Sequence, residues 1–397
     1  MATDCISRSL ATSQQKAAFR RRLVNWYGKH ARPLPWRENR DAYRIWLSEV
    51  MLQQTTVAMA RPYFERFVAA FPTVHDLAAA DEQLILRMWE GLGYYRRARS
   101  LHAAAKAVSS DHGGVFPRDV ASLMRLPGVG RYTAGAVASF AYDTSAPILE
   151  VNTLRVLARL AGYRGETAST AGQRFLWRTA EELVPAKGAG RFNYALMELG
   201  AVVCKPVQPQ CETCPVTAHC AAFQAGLQNE IPRLAARPKP TAVREAAVVV
   251  RRNGCVLLRQ RGRGERWENM WDFPRFELTS EVPLLVRDEL VAKVRQQTGV
   301  TIEPGALLKT IKHGVTRFRI TLDCYEARPA GGRIRSTAET PVRWTPLAEL
   351  AKLPLSVSGR QIANTIRLTP RREGAMSKAR EGARIDANGE VQNTNLH

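Results

Sequence analysis

Four cysteines in seventeen residues, Cys204, Cys211, Cys214 and Cys220, follow the pattern C-x6-C-x2-C-x5-C, with Pro206, Pro209 and Pro215 between them. Prolines keep such a loop short and irregular, so four sulfurs can converge on one centre. This is the donor set of a metal or cluster site. Tetrahedral zinc usually takes two close C-x2-C pairs, and only Cys211 and Cys214 are so spaced here. The outer spacings suit a larger cubic cluster, and [4Fe-4S] is expected ahead of zinc. Two disulfides are the remaining alternative; the chain shows no secretory signal, and Cys5, Cys255 and Cys324 are scattered.

Further stretches carry chemistry of other kinds. In Y-R-I-W-L-S-E-V-M-L-Q-Q-T, Tyr43 to Thr55, Glu49 lies among Ile45, Trp46, Val50 and Leu52. A carboxyl in apolar surroundings has a raised pKa and suits a general acid; the alternative is a satisfied or solvent-facing glutamate. Gln53 and Gln54 follow, whose long amides can probe base edges. In I-L-E-V-N-T-L-R, Glu150 and Asn152 open another helix, whose dipole favours an ionised carboxylate. G-L-G-Y-Y-R-R-A-R, Gly91 to Arg99, interleaves Tyr94 with arginines, a pattern that can wedge a base stack while gripping phosphates, or simply place tyrosines in a core. L-P-G-V-G-R-Y-T-A, Leu126 to Ala134, uses Gly128 and Gly130 for a tight hairpin. That turn aims backbone N–H groups at a phosphate and exposes carbonyls able to hold a monovalent cation; a structural helix-turn-helix is the plainer alternative. In R-P-L-P-W-R, two prolines fix Leu34 and Trp36 on an irregular segment near Arg32, where an aromatic ring either stacks on a base or fills a core corner.

The elements that position these residues divide the chain in two. At 397 residues with 45% hydrophobic content, two or three domains are expected, and no apolar run approaches a membrane span. Lys plus Arg outnumber Asp plus Glu 58 to 36, a net charge of +22 spread along the chain, so a polyanion is the natural partner. The first dozen residues lack periodicity and are expected to be disordered. Residues 14–228 show helical periodicity almost throughout, with the cysteine loop at 204–220. Residues 229–241 form a linker rich in Pro, Arg and Lys. From 242 to 369 the period changes to two, with Asn253-Gly254 as a hairpin turn and a helix near Arg287 to Gln297. Residues 370–397 carry no apolar period and are expected to be a disordered tail.

Together the motifs L-P-W-R, S-E-V-M-L-Q-Q-T, G-L-G-Y-Y, L-P-G-V-G-R-Y-T-A, E-L-G-A-V-V-C and the four-cysteine loop resemble the adenine DNA glycosylases (MutY family) of the helix-hairpin-helix superfamily that includes endonuclease III. The resemblance spans roughly Gln14 to Leu368. It implies an all-α helix-hairpin-helix glycosylase fold with a [4Fe-4S] loop, followed by an α+β Nudix-like domain. It further implies a monofunctional enzyme of base excision repair that flips adenine out of a mispair with 8-oxoguanine or guanine and hydrolyses its N-glycosidic bond. Glu49 matches the family's acid. Glu150 stands where the family has the aspartate of D-G-N, followed here by Val151 and Asn152. Tyr132 occupies the place of the Schiff-base lysine of bifunctional relatives, which argues against lyase chemistry. Gln54 and Tyr94 match lesion-side wedges; Arg32, Leu34 and Trp36 match the adenine pocket. The family's Phe-Ser-His loop for 8-oxoguanine aligns with Val315, Thr316 and Arg317. D-E-L-V-A-K-V-R-Q-Q-T-G lacks the glutamate cluster of a magnesium-binding Nudix helix, so this domain is expected to recognise a lesion and not to cleave pyrophosphate. The expected partner is double-stranded DNA carrying a mispair, bound by a cytoplasmic monomer, nucleoid-associated if bacterial. The alternatives are a lesion-binding protein weakened in catalysis by the Glu150 change and an endonuclease III-like glycosylase/lyase.

Overall fold

The computed structural model describes residues 10–233 and 239–368; the expected tail at 370–397 and part of the linker lie outside them. The helical half runs α1 Ser13–His30, α2 Ala42–Leu52, α3 Val57–Ala70, α4 Val74–Ala79, α5 Glu82–Met88, α6 Arg96–Asp111, α7 Val120–Leu123, α8 Arg131–Tyr142, α9 Val151–Ala161, α10 Thr170–Leu183, α11 Ala189–Val202 and α12 Ala221–Gln224. Most starts have an identifiable cap. Thr12 opens α1 with a capping box, Asp41 accepts from Tyr43 N (2.8 Å) to start α2, and Thr56 caps α3. Order therefore begins earlier than the unpatterned first dozen residues suggested: Leu10 is buried against α1 and its neighbours.

Two apolar clusters hold this half. One gathers Trp46, Phe64, Phe67 and Trp89 from α2, α3 and the end of α5. The other packs Phe19 and Leu23 of α1 against Leu157 and Phe192 of α9 and α11. Fully burying a side chain of this size contributes about 1.5–3 kcal/mol, so these clusters fix where α2, α8 and α9 point their polar residues.

The second half contains β1 Thr241–Arg252, β2 Cys255–Gln260, β3 Trp271–Asp272, β4 Arg275–Glu277, α13 Pro283–Thr298, β5 Val300–Val315, β6 Phe318–Gly332, β7 Val342–Pro346 and α14 Val357–Leu368. Its sheet runs β3-β2-β1-β6-β5, with β4 paired to β1 and β7 to β2. Asn253 and Gly254 take φ of 47° and 73°, and the register closes Arg252 on Cys255, the tight turn expected from the Asn-Gly pair. The core strand β1 pairs in parallel with β6, while β5 and β6 make one long hairpin that turns at Thr316.

The halves are bonded to each other. Arg360 reaches Glu90 Oε1 and Oε2 at 2.8 and 3.0 Å, and Arg87 donates to the Ala351 carbonyl at 2.9 Å. Asn269 donates to Glu82 at 2.8 Å, and Arg99 to the Glu268 carbonyl at 2.8 Å. Met270 is buried in the helical core, with Trp267 half-buried beside it. Among the described residues no helix is long and apolar enough to cross a membrane.

Candidate active site

Glu49 sits in the last turn of α2, 2% exposed. Its Oε2 accepts the Tyr132 hydroxyl at 2.5 Å, delivered by the first turn of α8. Burial pushes the Glu49 carboxyl up to about 7; the nearby Glu150 adds to the rise, while the Tyr132 bond and the Arg37 cation oppose it. Burial also drives the Tyr132 hydroxyl well above its ordinary value, with the Glu49 and Glu150 carboxylates adding to it. Tyr132 thus stays a neutral donor, and Glu49 can hold a proton near neutrality.

Glu150 is the N-cap of α9. Its Oε1 accepts from Thr153 N and its Oε2 from Asn152 N, each at 2.8 Å, with Asn152 Nδ2 adding a bond at 3.3 Å. The helix start was expected to favour the ionised form. Instead burial raises the Glu150 pKa, and the cap donors and Arg155 only partly offset it. Asn152 Oδ1 in turn accepts from Arg155 (2.9 Å), which also binds the Gly200 and Cys204 carbonyls at 2.7 Å each. Asp143, at the C-terminal end of α8, accepts from Gly188 and Gly190 N–H.

Cys204, Cys211, Cys214 and Cys220 are free thiols that share the wall of one cavity of about 30 Å3. Arg159, fully buried, donates to Cys204 Sγ at 3.2 Å and to the Lys205 carbonyl at 2.7 Å. Among the described residues no group of three or more His, Cys, Asp or Glu side chains is drawn tightly enough to grip a metal ion. The donor set nevertheless fits a thiolate-held group. Four unpaired sulfurs face one space, and a buried guanidinium can offset the negative charge such a group carries.

Between the halves runs a cleft of about 870 Å3. From the helical side it is lined by Gln53, Gln54, Tyr94 and Gly128, and from the sheet side by Arg266, Trp267, His313, Val315 and Thr316. Gln54 and Tyr94 both take left-handed backbone, φ 56° and 47°, and both are exposed. Gln53 is instead bonded to Thr133 at 3.3 Å. Gly128 has φ 75°, and a Cβ there would lie 2.5 Å from Ser100 Cβ; Gly130 faces open space at the start of α8, where no side chain caps the helix. Glu49 does not line the cleft, although Trp46 and Val50 of its own helix and Gln53 just after it do.

Residues 47–181 match the HhH-GPD superfamily of base excision DNA repair proteins, and residues 245–365 match a NUDIX domain. A solved thermostable thymine-DNA glycosylase covers 54% of this chain and 99% of its own at 28% identity, with a TM-score of 0.48. The adenine DNA glycosylase of Mus musculus is 43% identical over 230 residues, 56% of this chain and 45% of that one. The adenine DNA glycosylase of Rattus norvegicus is 32% identical over 397 residues, covering 87% of this chain and 77% of that protein. The chain belongs to the adenine DNA glycosylase family.

Some residues that the family motifs pointed to are placed differently by this fold. Trp36 is 2% exposed and packs edge-on against Phe64 at 5.5 Å, and Leu34 is buried too, so neither offers a surface to a base here. Packing decided this, because the ring needed a partner and α3 supplied one. Arg32 is committed to the buried Glu198, with Nε 2.5 Å from Oε1, and Arg37 reaches Glu198 Oε2 at 3.0 Å. Arg317 does not line the cleft; its guanidinium lies 5.2 Å over the Phe318 ring. The histidine that does line the cleft is His313, four residues earlier, in the triplet Ile311-Lys312-His313. Tyr95, the second tyrosine of its pair, is core. Glu198, Arg37 and His313 escaped the sequence reading; the signal for Glu198 was a carboxylate inside an apolar helix, the same pattern that exposed Glu49.

Proposed function

We propose that this chain hydrolyses the N-glycosidic bond of adenine mispaired with 8-oxoguanine or guanine in duplex DNA, without cutting the strand. The observation that carries the reading is Glu49, buried, held near neutrality in its pKa and bonded by Tyr132, which stands where a lyase would need an amine. A base can reach so buried a carboxyl only by leaving the stack. The +22 charge and the open α8 start suit the phosphates of a duplex in the cleft, and Gln54 and Tyr94 are placed to fill the space left by the extruded base.

In this reading the Glu49 carboxyl gives its proton to the adenine ring as the C1′–N9 bond breaks. The bonding pair leaves with the base, which departs neutral, and the sugar becomes an oxocarbenium-like cation. Glu150, whose cap bonds favour the ionised form against its burial, stabilises that cation. Water then adds to C1′ and passes a proton to the Glu49 carboxylate, restoring the acid. Tyr132 orients Glu49 throughout. On the lesion side His313 lines the cleft, with Nε2 3.5 Å from the Arg275 guanidinium. Burial and Arg275 lower the His313 pKa, favouring a neutral ring whose Nε2 can accept from Arg275 on the cleft wall. We assign the chain to a cytoplasmic monomer, with a monovalent cation at the hairpin carbonyls.

The pH dependence follows from the two carboxyls. Glu49 must be protonated, so single-turnover rates should fall as pH rises above about 7, approaching tenfold per unit. Glu150 must be ionised, so rates should also fall on the acid side, beginning above the usual carboxylate range because its pKa is raised. A profile flat from pH 6 to 9 would remove Glu49 as the acid.

We assign a [4Fe-4S] cluster to Cys204, Cys211, Cys214 and Cys220. When bound, such a cluster supplies a rigid cross-link that fixes the loop beneath α9. Purified protein should be yellow-brown with iron and sulfide near four per chain, and Cys211→Ser should lose the colour. One zinc per chain and no iron would overturn the assignment.

A further inference from the structure

We propose that Arg97 is a positioning residue that holds the two exposed tips, Gln54 and Tyr94, in one fixed arrangement against DNA. This rests on the reading of those tips as wedges. Arg97 Nη1 donates to the carbonyls of Val50 (2.8 Å), Met51 (3.1 Å) and Gln53 (2.6 Å), and Nη2 to those of Leu92 (3.1 Å) and Gly93 (3.3 Å). The Gln53 and Gly93 carbonyls belong to the peptide bonds that enter Gln54 and Tyr94. One planar guanidinium therefore ties the end of α2 to the loop before α6, directly behind both tips.

The chemistry suits arginine alone. Five acceptors in a fork exceed what an ammonium can satisfy, and a cation at the end of α2 is favoured by the helix dipole. The guanidinium is also stacked 5.3 Å from the Trp89 ring and 5.8 Å from the Tyr94 ring. Left-handed backbone at two non-glycine residues costs on the order of 1–3 kcal/mol each and persists only where surroundings enforce it. Arg97 supplies that enforcement at both positions at once. Held tips present a pre-shaped wedge; loose tips must be ordered anew at each encounter with a lesion.

The test is a double-mutant cycle read by single-turnover adenine release from duplexes carrying A opposite 8-oxoguanine. Arg97→Lys keeps the charge and loses the fork, and should slow release by on the order of a hundredfold, the cost of a misplacement of order 1 Å. In a Gln54→Ala/Tyr94→Ala background, which has no tips to position, the same change should cost less than roughly threefold. The alkaline limb of the pH profile, set by Glu49, should stay where it was. Trp89→Phe, which removes the indole N–H bond to the Gly93 carbonyl (3.0 Å) and shrinks the buried ring beside the Arg97 guanidinium, should show the same non-additivity with a smaller effect and serves if the lysine variant does not fold. Equal slowing in both backgrounds would make Arg97 a general structural residue and overturn the proposal. If Gln54→Ala/Tyr94→Ala alone leaves the rate unchanged, the wedge reading fails and takes this proposal with it.

Discussion

Glu49→Gln should abolish adenine release, lowering the single-turnover rate by about 10^3-fold or more, with duplex affinity changed only a few fold. The amide keeps the shape and can still accept from Tyr132, but it has no proton to give, and general acid catalysis is typically worth 10^2–10^4. The variant should also be the more stable protein in alkali. The Glu49 pKa is raised in the folded state, from an ordinary 4.5 to about 7, so its contribution to stability is complete below about pH 4.5 and is lost as pH rises to about 7. A shift of this size corresponds to about 3 kcal/mol. Thermal melts of wild type and Glu49→Gln should therefore diverge between pH 5 and 8, with the glutamine form higher. Parallel melting curves would mean that Glu49 is not held in its protonated form.

Glu150→Gln should slow the chemical step by at least about 10^2-fold, since removing one fixed charge or donor aimed at a developing ion costs roughly 10^2–10^3. Its carbonyl can still accept one of the two backbone N–H bonds that start α9, so the fold should survive. Glu150→Asp should hold the wild-type rate or exceed it by restoring the family's shorter reach, and aspartate is also a good N-cap. A rate indifferent to Glu150→Gln would show that another group carries the cation. Wild-type inactivity rescued by Glu150→Asp would favour the lesion-binding alternative.

Where sequence and structure agree, the determinants are local. Val57–Ala70 lies within the stretch of helical periodicity, and Thr56 caps its start. Asn253-Gly254 closes its hairpin because those residues enter left-handed backbone cheaply. Glu49 was visible as a carboxyl amid apolar neighbours on its own helix. Where they differ, the determinants lie far away in sequence. Trp36 is core because Phe64 meets it, and Arg32 is tied to a carboxylate 166 residues on. Glu150 keeps its expected place at a helix start, yet burial by the rest of the fold reverses the direction expected for its pKa. His313 lies four residues before Arg317, and what singles it out is its place on the cleft wall, which only the assembled fold creates. Arg97 was one arginine in a basic run until its five carbonyl partners, from the end of α2 and the loop before α6, identified it.

The most direct test is a single-turnover assay on duplexes carrying adenine opposite 8-oxoguanine, split into samples with and without alkali, plus a third quenched in borohydride. The account predicts free adenine released in one burst, strand breaks only in the alkali-treated sample, and no trapped covalent adduct, since Tyr132 offers no amine. Intact adenine after many half-lives of a family enzyme, or breakage without alkali together with a borohydride-trapped adduct in good yield, would contradict it.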